Sequence, residues 1–488
     1  MRSNLNGYQT PQFRMLSEDQ LVDLHRYACH ILERTGVVIH HEEALALLRK
    51  AGAHISDSNR VRIPAGMVEA ALKTAPSRIT LYSRDGEPAM FLEGYNSYFG
   101  TGSDCPHYLD AFTHERRQPT LKDIEASLIL CDSLPHIDFV MSMGLINDAP
   151  KEVMYQNQYR SMINLTTKPM VIIADDADCL KDIIDMAAVV VGGHEELRIH
   201  PRFVLYDEPS SPLQHSNTAL QKLLVMAEYG LPTNYAPGAM AGATCPMTPA
   251  GAMAQSAAEI LSGLVIHQLK SPGAPFVFGG GMSPMDMGSM QPTYAAPEAM
   301  MTQSGLVELA HYYNLPTWGF GGCSSSKLPD QQAIMEACTF NLVAALSGCN
   351  IIHDVGYLEF GLTFSEELLV MCNENIGQIK RVMGGIKFDD EHLAFDTIDR
   401  VGPGGNYLGD PHTFAHFRDN WWPDVTNRQT FEAWAEGGKT SMEERAREKI
   451  RFIQQNHTPK TLDDVTLKKL GEIIAAAEKR SADKLAIR

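Results

Sequence analysis

The chain has 488 residues, 44% of them hydrophobic and 20% charged, enough to bury a sizeable core in one large decorated domain or several ordinary ones. Its 41 Lys and Arg against 59 Asp and Glu leave a net charge of −18, which disfavours nucleic acid and anionic membranes as partners. No apolar stretch follows Met1-Arg2-Ser3-Asn4-Leu5-Asn6, so no signal peptide is expected. No apolar run reaches the roughly 18 residues of a spanning helix. The nine cysteines form no CxxC pair and no disulfide-like framework, and they read as reduced thiols of a cytoplasmic protein.

Ser17-Glu18-Asp19-Gln20 is a capping-box pattern ahead of an apolar helical face at Leu21, Leu24, Ala28 and Leu32. His41–Ala51 reads as a second helix, and Pro64 opens a third. Ile79–Tyr82, Asp85-Gly86 and Ala89–Leu92 read as a β-hairpin. Residues 1–92 are therefore expected to form a small helical and hairpin cap.

A repeating unit follows. Short apolar runs end in Gly, Pro, Asp or Ser, and each precedes an amphipathic stretch. The runs are Tyr98–Gly102, Phe139–Leu145, Pro169–Ala174, Arg202–Tyr206, Pro232–Ala236, Pro275–Phe278, Pro316–Gly321 and Asn350–His353. The expected helices are Leu121–Leu134, Tyr155–Leu165, Cys179–Val191, Ser216–Tyr229, Pro249–Leu269, Ala295–Tyr313, Gln331–Leu346 and Phe364–Met383. Strand–helix units repeating in series predict an α/β (β/α)8 TIM barrel over residues 93–385. An open doubly wound sheet is disfavoured, because Gly100-Thr101-Gly102-Ser103-Asp104 lacks the third glycine of a nucleotide fingerprint. Residues 386–488 turn to polar, Gly- and aromatic-rich loops. Two closing helices, near Ser441–Gln455 and Leu462–Lys479, suggest a packing or oligomerisation extension.

In such a barrel the chemistry sits just past each strand. Those segments are rich in Gly, Met and aromatics: Tyr235–Gly242, Gly279–Asp286, Gly321–Lys327 and His353–Tyr357. They hold no HExxH, no Walker loop, no GxSxG elbow and no His pair at metal spacing. Cys323 after Gly321-Gly322 resembles the opening of a GGCC zinc motif, but Ser324 stands where the second Cys belongs. An apolar, aromatic site poor in acid–base pairs suits a quaternary ammonium group, which aromatic faces attract. Moving a methyl from such a cation to a strong nucleophile needs no general acid, because the tertiary amine departs neutral.

Together, Gly100-Thr101-Gly102-Ser103-Asp104, Tyr235-Ala236-Pro237-Gly238-Ala239, Gly279-Gly280-Gly281-Met282, Gly321–Lys327 through Asp330-Gln331-Gln332-Ala333, and His353-Asp354-Val355-Gly356 resemble the trimethylamine:corrinoid methyltransferase family over nearly the whole chain. The resemblance implies methyl transfer to the cob(I)alamin of a separate corrinoid protein docked at a wide apolar mouth. Archaeal trimethylamine enzymes carry pyrrolysine, expected near Lys327–Asp330, where this chain has ordinary residues. That departure points to the non-pyrrolysine branch and to a quaternary amine such as glycine betaine, with dimethylglycine as product.

On this reading the candidate cage residues are Tyr95, Tyr98, Phe99, Tyr206, Tyr235, Phe320, Tyr357, Phe360 and Phe364. His353 is the first choice to hold the substrate carboxylate, with Gln214, Asn234, Ser324 and Lys327 behind it. Glu208 and Asp104 join His353 as candidate catalytic groups that attract the ammonium. Gly102, Gly238, Met240, Gly280 and Met282 are expected to face the corrin, and no directly bound metal is expected. A homo-oligomer is expected. Two alternatives stay open: a zinc-dependent barrel enzyme using Cys323 and His353, and a non-catalytic betaine-binding protein.

Overall fold

The structure is a computed structural model that describes residues 11–487. Its centre is a curled, seven-stranded parallel sheet in the order Tyr98–Phe99, Ile351–His353, Thr317–Phe320, Phe276–Gly279, Thr233–Asn234, Phe203–Leu205 and Met170–Ile172. Seven of the eight expected runs are thus strands, all but Phe276–Gly279 shorter than the apolar run that announced them. The eighth, Phe139–Leu145, contributes isolated parallel bridges, Gly100 to Phe139 and Val140 to Met170. It therefore lies between the two ends of the sheet.

The expected helices form within a few residues of their anticipated ends, from Leu121–Ser133 to Glu366–Met383. Ser17 makes the capping box with Gln20 at the first helix, Glu18–His30. Ile79–Tyr82 and Pro88–Leu92 pair as the antiparallel hairpin. In the C-terminal extension, the helices Met442–Asn456 and Asp464–Ile487 close the chain.

Alternation along the strands decides what fills the sheet's concave face, because successive side chains point to opposite faces. Phe139, Met141, Val171, Val204, Ala236, Val277, Trp318 and Ile351 converge into one buried cluster. Ile79, Leu81, Met90 and Leu92 of the hairpin join that cluster, so the hairpin plugs the interior from below. Residues of opposite parity, such as Phe99, Phe203 and Phe276, pack outward among the helices.

The N-terminal segment also makes a sheet that the sequence reading missed. Val37–Ile39 pairs antiparallel with Arg60–Arg62 and parallel with Gln214–His215. The loop that leaves the Phe203–Leu205 strand is therefore woven into the cap. Glu259, on the helix Pro249–Lys270, fixes the same loop from below. Its carboxylate accepts from Leu213 N at 2.8 Å, Ser211 Oγ at 2.7 Å and Gln255 Nε2 at 3.0 Å. All nine cysteines are free. Among the described residues, no helix is long and apolar enough to cross a membrane.

Replacing Glu259 by Leu strands two half-buried donors of this loop, Leu213 N and Ser211 Oγ. A loss of about 1–3 kcal/mol per unsatisfied group is expected from the desolvation cost, read as a lowered midpoint in urea unfolding. An unchanged midpoint would show that the loop is held by the cap strand alone.

Candidate active site

A cavity of about 250 Å³ opens at the C-terminal ends of the strands. Its floor is Trp318, which also tops the interior cluster beneath. Tyr206, Tyr294, Phe320 and Phe360 wall it, with His353 and the backbone of Ala236–Met240 and Gly280–Gly281. Tyr206 stacks on Trp318 at 5.3 Å between centroids, and Tyr294 stacks on Phe320 at 4.8 Å. The His353 ring lies 4.5 Å from Trp318 and 5.8 Å from Tyr206.

Asp354 is buried behind the rings, and Glu208 sits at the mouth beside Tyr206. Asp354 Oδ1 lies 2.7 Å from His353 Nδ1, and its Oδ2 accepts from the Tyr294 hydroxyl. The carboxylate is an acceptor for both, so Nδ1 carries the proton and Nε2 is the free ring nitrogen. This contact between adjacent residues requires Asp354 to sit in the left-handed region, at φ +73°, which Asp tolerates better than most residues. It also requires Gly102, since a Cβ there would collide with Asp354 Oδ1 and the Tyr357 ring. Glu208 accepts from the Tyr206 hydroxyl. A hydrogen bond to an anion pushes electron density into the phenol and strengthens the ring face toward a cation.

Burial and neighbouring carboxylates hold both tyrosine hydroxyls well above their ordinary pKa, so they stay neutral. Burial likewise raises Glu208. Its side chain is exposed to water in the mouth, yet the surrounding walls strip most of its hydration. Burial pushes Asp104 up to about 7, with the Glu208 charge adding to the rise, while Tyr155 Oη donates to it at 3.3 Å. Asp207, raised to about 7 by burial, is paired with Lys222 at 3.0 Å.

Of the aromatic residues expected in a cage, Tyr206, Phe320 and Phe360 line the cavity, as does His353. The others lie elsewhere. Phe99 has the outward strand parity and is buried among helices. Tyr98 Oη accepts from Phe91 N at the hairpin end, and Tyr95 stacks on His311 at 4.4 Å. Tyr235 faces outward and bonds His215 Nδ1 at 2.9 Å. Tyr357 is tied to the carbonyls of Ser103 and Met143, and Phe364 packs on Tyr108.

Among the expected polar contacts, Gln214 belongs to the cap sheet. Asn234 Oδ1 accepts from Asp207 N at 3.1 Å. Ser324 donates to Glu336 at 2.6 Å, and Lys327 is exposed with its Nζ 5.5 Å from the Phe360 ring centroid. Gly238, Met240 and Gly280 line the cavity. Gly102 instead makes room for Asp354, and Met282 is buried in a small separate cluster.

Sequence reasoning missed Trp318 and Tyr294. Trp318 was legible, being two residues before Phe320 and so on the same strand face. Tyr294 arrives from the loop ahead of the helix Pro297–Tyr312, and no pattern announces it. Cys323 is fully buried. Among the described residues, the side-chain groups with metal-holding geometry include neither it nor His353.

A parallel sheet flanked by helices, with an aromatic cavity past its strand ends, defines an α/β enzyme of the barrel type. The comparisons narrow that class. The chain belongs to the trimethylamine methyltransferase (MTTB) family, whose model matches residues 4–482, and it is a methyltransferase. It is similar to "Trimethylamine methyltransferase MttB" of Desulfitobacterium hafniense (strain DSM 10664 / DCB-2), at 34% identity over 95% of this chain and 93% of that protein. It is 31% identical to "Glycine betaine methyltransferase" of Desulfitobacterium hafniense (strain Y51), over 96% and 98%. It is 30% identical to "Trimethylamine methyltransferase MttB" of Methanosarcina barkeri (strain Fusaro / DSM 804), over 98% of both chains. Its fold resembles the crystal structure of the Methanosarcina barkeri monomethylamine methyltransferase (MtmB), with a TM-score of 0.51 at 10% identity over 91% and 88% of the two chains.

Asp104 gives the site a pH signature. Its folded-state value lies above the ordinary 3.8, so its contribution favours folding below that value and is lost as pH rises through about 7. Cation binding runs the other way, because the charge appears as pH rises. Tetramethylammonium affinity is expected to increase between about pH 6 and 8, with a midpoint near 7, and calorimetric titration measures it. Asp104→Asn is expected to flatten the profile; an unaltered profile in that variant would remove Asp104 from the binding field.

Proposed function

We propose that this protein transfers a methyl group from a quaternary amine to the cob(I)alamin of a partner corrinoid protein, and that the amine is glycine betaine, which becomes dimethylglycine. The observation that carries this reading is a cavity of five aromatic rings whose hydroxyls lean on carboxylates, with no Lys or Arg in its lining. Such a wall stabilises a fixed positive charge by about 0.5–2 kcal/mol per well-placed ring. Identities of 34% and 31% to relatives named for two different amines do not choose between them. The aromatic lining without Lys or Arg supports the quaternary amine. The sequence consists throughout of ordinary amino acids, and a permanently charged ammonium needs no special residue to hold it.

At about 250 Å³ the cavity is below the ~300–1,000 Å³ of pockets for drug-sized ligands, a match to a small amine. A corrin macrocycle belongs on the rim, where Met247, Met287, Met290 and Leu328 are exposed. Docked there, the reduced corrinoid of a partner would supply the nucleophile that accepts the methyl. Tyr206, Trp318, Tyr294, Phe320 and Phe360 hold the ammonium with one methyl toward the mouth. His353, its Nδ1–H held by Asp354, reaches the betaine carboxylate only by donating from a protonated Nε2, so it binds that group as the imidazolium. Glu208 and Asp104 add attraction to the cation, and the amine departs neutral, so no residue has to donate a proton.

The same proposal takes the sheet as a closed (β/α)8 barrel. The two bridges on either side of the Phe139 segment support the closure. It divides the chain into a cap over 1–92, the catalytic barrel over 93–385 and an extension over 386–488. A homo-oligomer fits the extension, which leaves Ile386, Phe388, Leu408 and Trp422 in water. Nine free thiols and a strongly reducing co-substrate suit the cytoplasm. A second reading, a quaternary amine without a carboxylate such as choline, is favoured by the same shortage of cationic side chains in the lining.

Methylation of cob(I)alamin with glycine betaine, choline, carnitine and proline betaine decides among these. Glycine betaine is expected to be fastest, with dimethylglycine as product. If none reacts, the catalytic reading falls; binding without transfer would leave a betaine-binding protein. Tyr206→Ala and Phe360→Ala are each expected to weaken amine binding about 2- to 30-fold. Phe364→Ala leaves the wall intact, and its amine Kd is expected to stay within about 2-fold.

A further inference from the structure

We propose that the C-terminal extension carries a structural Zn²⁺ site built from His392, His416 and Asp419. One ligand atom from each lies within 4.8 Å of the others. Tetrahedral zinc ligands at ~2.0–2.1 Å from the metal stand ~3.3 Å apart, so a small side-chain rotation closes the site.

The surroundings are arranged as a zinc site requires. His392 Nδ1 is 2.6 Å from Asp389 Oδ1, which fixes the ring and its tautomer. That leaves Nε2, a buried nitrogen without a hydrogen-bond partner. A carboxylate behind a ligating imidazole is the usual outer support of a zinc histidine. His416 Nδ1 is 2.8 Å from Asp419 Oδ2, and Nε2 is 3.4 Å from Glu391 Oε1. Glu391 or water is then the fourth ligand. His412, one helical turn before His416, holds its ring 4.4 Å away and its Nε2 3.2 Å from the Glu391 carbonyl. The sequence reading looked for metal ligands only past the barrel strands and passed over this His-x-x-x-His pair. Imidazole ligands select zinc over magnesium or calcium.

A contrasting cluster, His114 with Glu367 and Glu443, has Arg447 in its midst at 2.8 Å, 3.4 Å and 3.0 Å. An internal cation already satisfies it. No salt bridge from Lys or Arg reaches the His392 cluster among the described residues. The cluster also lies where a staple is needed. Asp390–Leu393 and Pro411–His416 bury no side chain, and Phe395–Val401 buries only Thr397. Helices this short have no hydrophobic means of holding together. A metal bound by residues 392, 416 and 419 ties the first of them to the last.

The test is zinc titration of chelator-stripped full-length protein, in competition with a chromophoric chelator. One Zn²⁺ per chain is expected, with Co²⁺ giving the visible absorption of a four-coordinate nitrogen and oxygen site. His392→Gln and His416→Gln are expected to lower zinc affinity by on the order of 100-fold, and Asp389→Asn by about 10- to 100-fold. Zinc is also expected to slow proteolysis within residues 386–440 in the wild type and not in His392→Gln. Circular dichroism confirms that the variants fold. No zinc uptake by the wild type, or equal uptake by wild type and both histidine variants, overturns the proposal.

Discussion

Trp318 is the residue on which the two halves of the curled sheet's concave interior meet. Below it, one or two inward side chains from each strand pack with the hairpin into a dry core. Above it lies the cavity. Interiors are packed like crystals, so this floor has little freedom. Its height decides how deep a ligand can sink, and Tyr206 and His353 take their ring positions from it.

On that floor the polar groups are layered. Aromatic rings and one imidazole line the cavity, Asp354 stands behind them and Glu208 meets the Tyr206 hydroxyl at the mouth. On the proposed function, a carboxylate placed in the wall itself would bind a cation strongly at rest and hinder its conversion to a neutral amine. Held behind a phenol, its influence is softened and spread over a face. The arrangement depends on two backbone features: the left-handed turn at Asp354 and the absence of a side chain at Gly102. Both lie at strand ends, where backbone strain concentrates at functional sites.

Much of the fold was legible because hydrophobic periodicity and strand-end punctuation are local signals. The Phe139 run was the exception, since most of its length makes no strand pairing. The cap sheet was invisible, because it joins residues near 38 to residues near 214. In the site, Tyr206, Phe320 and His353 share the inward parity and line the cavity. Phe99 and Tyr235, one position out of step, point to the helices instead. Sequence gives the alternation but not which of its two phases faces inward. Tyr294 comes from a loop with no periodicity at all.

The pairing of Gln214–His215 with Val38–Ile39 joins two parts of the chain that look separable. The loop that begins with Tyr206 and Glu208 ends as a strand in a sheet made by the first sixty-odd residues. His215 then anchors that strand to Tyr235 and Ser262. Cap and cavity wall are therefore one mechanical unit. Divergence of this loop among relatives has to be matched by compensating change near the N-terminus, and a chimera that exchanges the loop alone breaks a ladder whose other rail it leaves behind.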